Sequence, residues 1–341
     1  MKIKIMLFSI LLIILLASNT SAMLYSNVTL ENTTLDGNNS FTDRIYIKGR
    51  VTISEGSTLT INEGTEIIFL FTDEEKDGIG DSEILSQGLI KILGSKEKPV
   101  FFKSNRPQKG SWLGLSIMNV DETNVIKNVV FEDSYMALHS HFSTLLIENC
   151  VFRNNFRGFQ SQEGRIQILN SKFYNNDTAL QFRNSNALLK DIEIWNNKGG
   201  LNFLYSDANL ENVKVYKNNI FNIKIRYSKA TLKKIHIQES LQNFYSKNSQ
   251  LNITDITSVS SILRGVSFEE SDVTLSDAKI FDNLLDGISI DNTKLSCSKI
   301  NYRNNGRYDF YIKGNSIVTN ECLKTNKEKI YGVTDDFSSK N

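Results

Sequence analysis

The sequence has little proline, cysteine and histidine, with 2 Pro, 3 Cys and 3 His among 341 residues. A chain of 341 residues is too long to be a disulfide-stapled miniprotein. The formal net charge is only +1, whereas a nucleic-acid surface requires a basic excess. A content of 40% hydrophobic and 10% aromatic residues also excludes a disordered chain.

Asparagine is the abundant residue, with 38 copies, or about one residue in nine. Asparagine is unfavourable inside helices and favourable in turns, so the composition disfavours a helical bundle. The length allows two domains or one elongated repeat array. The scarcity of proline is consistent with a repeat array, because each repeat must keep its backbone N–H groups free for the next.

Residues 1–22 predict a secretory signal peptide. Lys2 and Lys4 precede an apolar run over residues 5–17, and small residues allow cleavage after Ala22. The alternative is a membrane anchor, but the run is shorter than the roughly 20 residues that span a bilayer. We therefore expect a secreted, periplasmic or cell-surface protein that is a monomer with no membrane span in the mature chain.

An apolar pattern recurs every 21 to 22 residues in three columns. The first column comprises Ile117, Leu138, Phe159, Leu180, Leu201, Ile223, Phe244, Val266, Ile288 and Phe310. The second comprises Ile126, Ile147, Ile168, Leu189, Leu210, Leu232, Ile253, Leu275 and Cys297. The third comprises Phe131, Phe152, Phe173, Ile194, Val215, Ile237, Ser258, Ile280 and Tyr302.

Within each repeat the apolar residues alternate with polar ones, which indicates short strands. Stacked repeats would place equivalent residues about 4.8 Å apart. A turn column of Asn155, Asn176, Asn197, Asn218, Asn283 and Asn305 supports this stacking, and Ser240 and Ser261 interrupt it. The pattern predicts an all-β, single-stranded parallel β-helix of about twelve coils of 21–22 residues. Leucine-rich repeats share the period, but their Leu/Asn consensus is missing.

The segments 57–65, 88–102 and 110–115 resemble the opening coils of the right-handed parallel β-helix proteins of the pectate-lyase-like superfamily. The later repeats, with an Asn-Asn turn followed by Gly and an apolar residue, are similar to NosD-like β-helix proteins. The resemblance covers roughly residues 49–335 and implies the right-handed fold and export. The superfamily contains enzymes, binding proteins and structural proteins, so function depends on the site.

We expect an N-terminal cap over residues 23–48, the β-helix over 49–315 and a last coil with its cap over 316–341. Cys297 and Cys322 fall in adjacent coils, which predicts either a disulfide that holds the last coil or two free thiols. Cys150 is expected to be a buried thiol.

Acidic residues cluster in the segment 73–83 at spacings close to those of a calcium loop. The candidate ligands of a structural Ca²⁺ are Asp73, Glu75, Asp77, Asp81 and Glu83. Closely spaced carboxylates repel one another unless a cation neutralises them. The alternative is a solvated acidic surface loop.

Two sets of outward side chains are candidates for ligand binding. Gln160, Gln181 and Asn202 belong to one polar row, whose groups at coil spacing suit a glycan chain or simply face water. Tyr174, Trp195 and Tyr216 form an aromatic column, which is either a platform for sugar or a stack that clamps the turn.

Catalytic candidates are few. Glu269 and Asp291 would be stacked neighbours near the ~5 Å carboxyl separation of a retaining glycosidase, but Lys247 and Lys313 flank them and favour a surface ion-pair ladder. The pectate-lyase pattern, which the resemblance brings, requires an aspartate cluster beside a catalytic arginine, and no such cluster lies near Arg183 or Arg226.

His139 and His141 form a pair on one face of a strand. Two imidazoles make only a weak metal site, so a surface histidine pair is the favoured interpretation.

The sequence thus predicts an exported β-helix protein that binds carbohydrate without catalysis. A polysaccharide lyase or glycoside hydrolase is the first alternative, and a structural envelope protein is the second. The only expected cofactor is Ca²⁺.

Overall fold

The computed structural model describes residues 22–332. The predicted signal peptide lies outside these residues, apart from Ala22. About two thirds of the described chain is β-strand, and the sole helical segments in it are two short 3₁₀ turns, Asn320–Leu323 and Lys327–Lys329. No helix in residues 22–332 is long and apolar enough to cross a membrane.

Most strands are short, as the period-two pattern predicts, but eight of the described strands have 10 to 16 residues. The strands of the first coils are β1 Met23–Leu35, β2 Asn38–Ile53, β3 Thr58–Asn62, β4 Glu66–Phe69, β5 Glu83–Ser86, β6 Leu89–Leu93, β7 Val100–Ser104, β8 Trp112–Met118, β9 Thr123–Lys127 and β10 Val129–Glu132. Those of the next coils are β11 Ser134–His141, β12 Thr144–Glu148, β13 Val151–Arg153, β14 Arg157–Gln162, β15 Arg165–Leu169, β16 Lys172–Tyr174, β17 Thr178–Arg183, β18 Asn186–Trp195, β19 Gly199–Leu204 and β20 Asp207–Tyr216. The remainder are β21 Phe221–Arg226, β22 Lys229–Gln238, β23 Gln242–Lys247, β24 Gln250–Val259, β25 Arg264–Glu269, β26 Asp272–Phe281, β27 Asp286–Asp291, β28 Lys294–Arg303, β29 Tyr308–Lys313, β30 Ile317–Val318 and β31 Ile330–Tyr331.

All strand pairs are parallel, and each strand pairs with its equivalent in the next coil. Three stacks run along the solenoid. Stack 1 contains β5, β8, β11, β14, β17, β19, β21, β23, β25, β27, β29 and β31. Stack 2 contains β3, β6, β9, β12, β15 and the first halves of the long strands β18, β20, β22, β24, β26 and β28, and it ends at β30. Stack 3 contains β4, β7, β10, β13, β16 and the second halves of those long strands.

The structure confirms the all-β parallel solenoid and its coil size of about 22 residues. It has about 14 turns, so the predicted number of about twelve was slightly low. The difference arises at both ends. At the N-terminal end, β1 lies within the segment expected to be a cap and pairs along its length with β2. At the C-terminal end, β31 pairs with β29.

The predicted second and third columns are in register throughout. The first column was wrong at its start, because Leu138 pairs with Leu115 and not with Ile117. A β-bulge between Met136 and Leu138 shifts the register, and such an insertion leaves no mark in the hydrophobic pattern.

The interior is filled by ladders of apolar side chains. In stack 3 the rings of Phe131, Phe152 and Phe173 lie on one another with centroids 4.8 Å and 4.7 Å apart. All three are fully buried, and ring stacking at coil spacing adds to the hydrophobic stabilisation.

Buried asparagines form a hydrogen-bonded ladder at one turn. The amide of Asn155 donates to Asn176, Asn176 to Asn197 and Asn197 to Asn218, over 3.0, 3.1 and 2.9 Å. Asn218 then donates to Asn222, which donates to Asn243. The ladder therefore moves to a neighbouring column where Ser240 and Ser261 replace the turn asparagine.

A second polar ladder occupies the turn between stacks 1 and 2, and the sequence analysis did not find it. Each buried hydroxyl accepts a hydrogen bond from the backbone N–H of the equivalent residue one coil earlier. Its members are Ser185, Ser206, Ser228, Ser249, Ser271, Thr293 and Ser316. The signal was a serine or threonine every 21 to 23 residues.

The bends between stacks use left-handed backbone. Of the 31 non-glycine residues with positive φ in residues 22–332, 14 are Asn and 6 are Asp. These residues adopt positive φ at lower cost than other side chains, which accounts for much of the asparagine excess.

A disulfide joins Cys297 and Cys322, as one of the two sequence alternatives predicts. The bond ties the 3₁₀ turn at residues 320–323 to β28. Cys150 is a buried free thiol, and burial raises its pKa to about 12.

Candidate functional site

The outward side chains of β11, β14, β17, β19, β21 and β23 in stack 1 form a surface that we call the basic face. Gln160, Gln181 and Asn202 lie in register on it, in one row with His139 and Lys224. The next row, two residues further along each strand, is also in register and comprises His141, Gln162, Arg183, Leu204, Arg226 and Lys247. The structure therefore brings the predicted polar row together and places cations beside it.

The cations of the basic face largely lack acidic partners. Within residues 22–332, Arg183, Lys224 and Arg226 form no ion pair, and neither of the two outward rows carries Asp or Glu from β11 to β23. Lys247, at the edge of the face, differs because its ammonium lies 3.4 Å from Glu270 and 3.7 Å from Glu269. Burial, followed by the charge of Arg226, lowers the pKa of Lys224.

Several polar atoms of the basic face are hidden from solvent and have no hydrogen-bond partner in the described part of the chain. They are Nε2 of His139, Nε2 of His141, Oδ1 of Asn202 and Nε of Arg226. A buried polar atom without a partner costs roughly 1–3 kcal/mol. A ligand that supplied hydrogen bonds to these atoms would recover part of that cost.

The histidine pair lies at one end of the basic face. The rings of His139 and His141 are 6.3 Å apart and nearly parallel. Burial lowers the pKa of His139, and the nearby His141 and Arg157 lower it further. These effects all disfavour the charged imidazolium form of His139.

Glu269 and Asp291 are adjacent in register, and both are engaged by neighbouring side chains. Glu269 accepts a hydrogen bond from the Tyr245 hydroxyl over 2.8 Å, and burial together with Glu269 raises the pKa of that tyrosine. The carboxylate of Asp291 lies 3.3 Å from the ammonium of Lys313. This arrangement resembles the ion-pair ladder that the sequence analysis favoured.

The aromatic column is a continuous stack. The rings of Tyr174 and Trp195 are 4.4 Å apart, and those of Trp195 and Tyr216 are 6.0 Å apart and nearly parallel. Both faces of Trp195 therefore lie against neighbouring rings, which favours the turn clamp over a sugar platform. The Tyr216 hydroxyl donates to Glu193, and burial with this contact raises its pKa to about 12.

The acidic loop lies between β4 and β5, and its carboxylates bind loop backbone. Asp73 accepts hydrogen bonds from the N–H groups of Asp77 and Gly78, and Asp81 accepts one from Glu74. Glu83 is paired with Arg50. Among residues 22–332 no three acidic, histidine or cysteine side chains are gathered as ligands would be. Calcium binding by Asp73, Glu75, Asp77, Asp81 and Glu83 stays a prediction, which calcium titration calorimetry can test.

A long trough of about 990 Å³ runs along stack 2, and the sequence analysis missed it. Two rows of outward side chains on the strands of stack 2 form its walls. The strand residues between these rows, at Ala187, Ala208 and Ala230, form its floor. The sequence signal was a run of three inward alanines where other coils have larger residues.

Two family comparisons cover most of the solenoid. Residues 19–137 match the family described as "Pectate-lyase like beta helix domain", and residues 113–243 match "Right handed beta helix region". These two matches, together with the parallel solenoid, support a right-handed β-helix of the pectate-lyase-like superfamily. No curated protein matches this β-helix protein in sequence.

Several solved structures are similar to this β-helix protein. The periplasmic alginate epimerase AlgG is 8% identical, with coverage of 89% of this chain and 80% of that chain and a TM-score of 0.40. The catalytic domain of a GH87 α-1,3-glucanase is 10% identical, with coverage of 80% and 64% and a TM-score of 0.35. PfbA, a surface adhesin of Streptococcus pneumoniae, is 15% identical, with coverage of 82% and 83% and a TM-score of 0.28. These likenesses concern the fold alone.

Proposed function

We propose that this exported β-helix protein binds an acidic polysaccharide on its basic face and does not cleave it. The observation that carries the proposal is the set of buried polar atoms without hydrogen-bond partners, which includes Oδ1 of Asn202 and Nε of Arg226, beside Lys224, which forms no ion pair in the described residues. Uncompensated cations attract carboxylate or sulfate groups, and arginine binds such groups through two parallel hydrogen bonds. A neutral glycan would leave these charges unmatched.

The repeat spacing supports a polymeric ligand. Equivalent side chains recur about every 4.8 Å along the solenoid, and backbone hydrogen bonds between coils hold the strands in place. An extended chain along the axis could contact one coil after another with little loss of protein conformational freedom. Short ligands would contact only one or two of these coils.

The engaged carboxylates support binding without turnover. A retaining hydrolase needs one carboxylate free as nucleophile and one protonated as acid. Glu269 and Asp291 instead contact Lys247 and Lys313. The lyase or hydrolase alternative would require these ion pairs to open, and the structural alternative would require no ligand on the basic face.

Affinity electrophoresis through gels that contain polygalacturonate tests the proposal. We expect the protein to be retarded by polygalacturonate and much less by its fully methyl-esterified form, which has the same backbone without charge. Arg226→Gln should weaken retention about tenfold, because a charge-assisted contact contributes about 1.5–3 kcal/mol. Lys214→Gln is the matched control, because this exposed lysine lies on stack 3.

Three results would contradict the proposal. Equal retention by the charged and esterified polymers would show that charge is not recognised, and an unchanged Arg226→Gln variant would place binding elsewhere. Release of new reducing ends or unsaturated products from polygalacturonate would support the enzyme alternative.

A further inference from the structure

One outward row of stack 2 carries charges in an ordered sequence. Over six successive coils the row comprises Arg165, Asn186, Asp207, Lys229, Gln250 and Asp272, each in register with the next. All six are exposed, and all line the trough on stack 2. This row is separate from the basic face, which belongs to stack 1.

The four charges of this row are unpaired in the described part of the chain. Asp207 and Lys229 are register neighbours, yet they form no ion pair. Elsewhere on the same strands, adjacent coils do form such pairs, as between Lys190 and Glu211 over 3.3 Å. The chain therefore leaves charges available along the trough, although the spacing allows neighbouring coils to pair.

The order of the row is self-complementary when it is reversed. Consider a two-fold axis that runs parallel to the strands and passes between Asp207 and Lys229. This axis places a second copy of the row against the first in reversed order. Asp207 then faces Lys229, Asn186 faces Gln250, and Arg165 faces Asp272 of a second copy. Each cation meets an anion and each amide meets an amide, as an isologous interface requires.

We propose that this face of stack 2 is the interface of an antiparallel, two-fold symmetric dimer of this chain. The proposal does not rest on the glycan-binding function, and it replaces the expectation of a monomer. The row two residues further along, which includes Gln167, Leu188, Asn209 and Thr231, is uncharged and brings no like charges together. In the row beyond that, the same axis places Glu211 opposite Lys233 of the partner.

The size of the face sets the strength of the dimer. Six coils at about 4.8 Å and five residues at about 3.3 Å give a face of about 29 by 16 Å, or about 460 Å². A standard interface buries about 800 Å² per partner, so the dimer should be weak. Since its specificity comes from exposed ion pairs, it should weaken as the salt concentration rises.

Sedimentation velocity at low salt, over a range of protein concentrations, tests the proposal. We expect wild-type protein to dimerise reversibly. Asp207→Lys and Lys229→Asp should each weaken dimerisation at least about tenfold, because symmetry converts two attractive pairs into two repulsive ones. The decisive measurement is an equimolar mixture of the two variants, in which every pair is again attractive and dimerisation should return.

Lys214→Asp is the matched control, since it makes the same charge change on stack 3. It should leave dimerisation unchanged, and circular dichroism should show that all variants keep their β-structure. Wild-type protein that stays monomeric up to about millimolar concentration, where weak interfaces associate, would overturn the proposal. So would a dimer that both single variants retain, or a mixture that fails to recover.

Discussion

Asparagine has two structural roles in this chain, one at exposed bends and one in the buried turn column. At the bends it adopts positive φ and faces solvent, as at Asn170 and Asn175. In the turn column it is buried and satisfies the backbone of a neighbouring coil, because Oδ1 of Asn176 accepts from the N–H of Asn155 and its Nδ2 donates to the carbonyl of Phe152. The buried use is the one in which replacement should be costly.

Asn176→Ala should lower the free energy of unfolding by about 2–4 kcal/mol. The change removes the acceptor of the Asn155 N–H and the amide donor to the carbonyl of Phe152 in a buried site. The side-chain amide of Asn155 also loses one of its two acceptors and keeps the carbonyl of Phe131. Asn219→Ala is the control, because this residue is exposed, and its cost should stay within about 0.5 kcal/mol. Urea unfolding followed by circular dichroism measures both, and equal losses would mean that the ladder does not stabilise the fold.

At the scale of elements, the end of the solenoid depends on a covalent link. Between β29 and residue 332, where the described part ends, the chain forms two two-residue strands and two 3₁₀ turns, and Cys322 joins this segment to β28. Such a short segment buries little apolar surface of its own. The disulfide therefore substitutes for the packing that a further coil would provide.

Replacing both Cys297 and Cys322 with Ser should release the last coil while the central coils persist. A cross-link that closes a loop of this length, 25 residues apart in sequence, contributes about 3 kcal/mol in the chain-entropy account. Hydrogen exchange should rise within residues 317–331 and stay unchanged in β17–β21. Ser296→Ala, an exposed change in the same strand, should leave both regions protected. Unchanged exchange at residues 317–331 would contradict this role.

Sequence periodicity predicted the stacks because inward residues must be apolar in every coil, so Ile147, Ile168 and Leu189 repeat at constant spacing. It could not locate the β-bulge at Met136, since one extra residue alters the register without altering hydrophobicity. It identified Gln160, Gln181 and Asn202 as outward. The missing partners of Asn202 and Arg226 depend on side-chain packing between coils, which one sequence does not encode in a readable pattern.

At the scale of the whole molecule, charges balance to +1, so attraction to a polyanion must come from local segregation of charge. The chain has only three histidines, and two of them, His139 and His141, lie on the basic face. Between pH 7.5 and pH 5.5, histidine is the side chain whose ordinary pKa is crossed. Protonation of His139 therefore adds positive charge to the basic face as the pH falls.

Affinity for polygalacturonate should rise as the pH falls from about 7.5 to about 5.5, because the carboxylates of the polymer stay ionised there while His139 gains a proton. Because the pKa of His139 is lowered, most of the rise in affinity should occur below pH 6.5. A bound polyanion raises this pKa again because it stabilises the imidazolium. The free protein should lose stability over the same interval, since the unfolded chain binds this proton more readily. His139→Gln combined with His141→Gln should flatten the affinity profile, whereas His236→Gln, on stack 3, should leave it unchanged. Equal affinity of the wild-type protein at about pH 7.5 and about pH 5.5 in affinity electrophoresis would exclude the histidine pair from the binding surface.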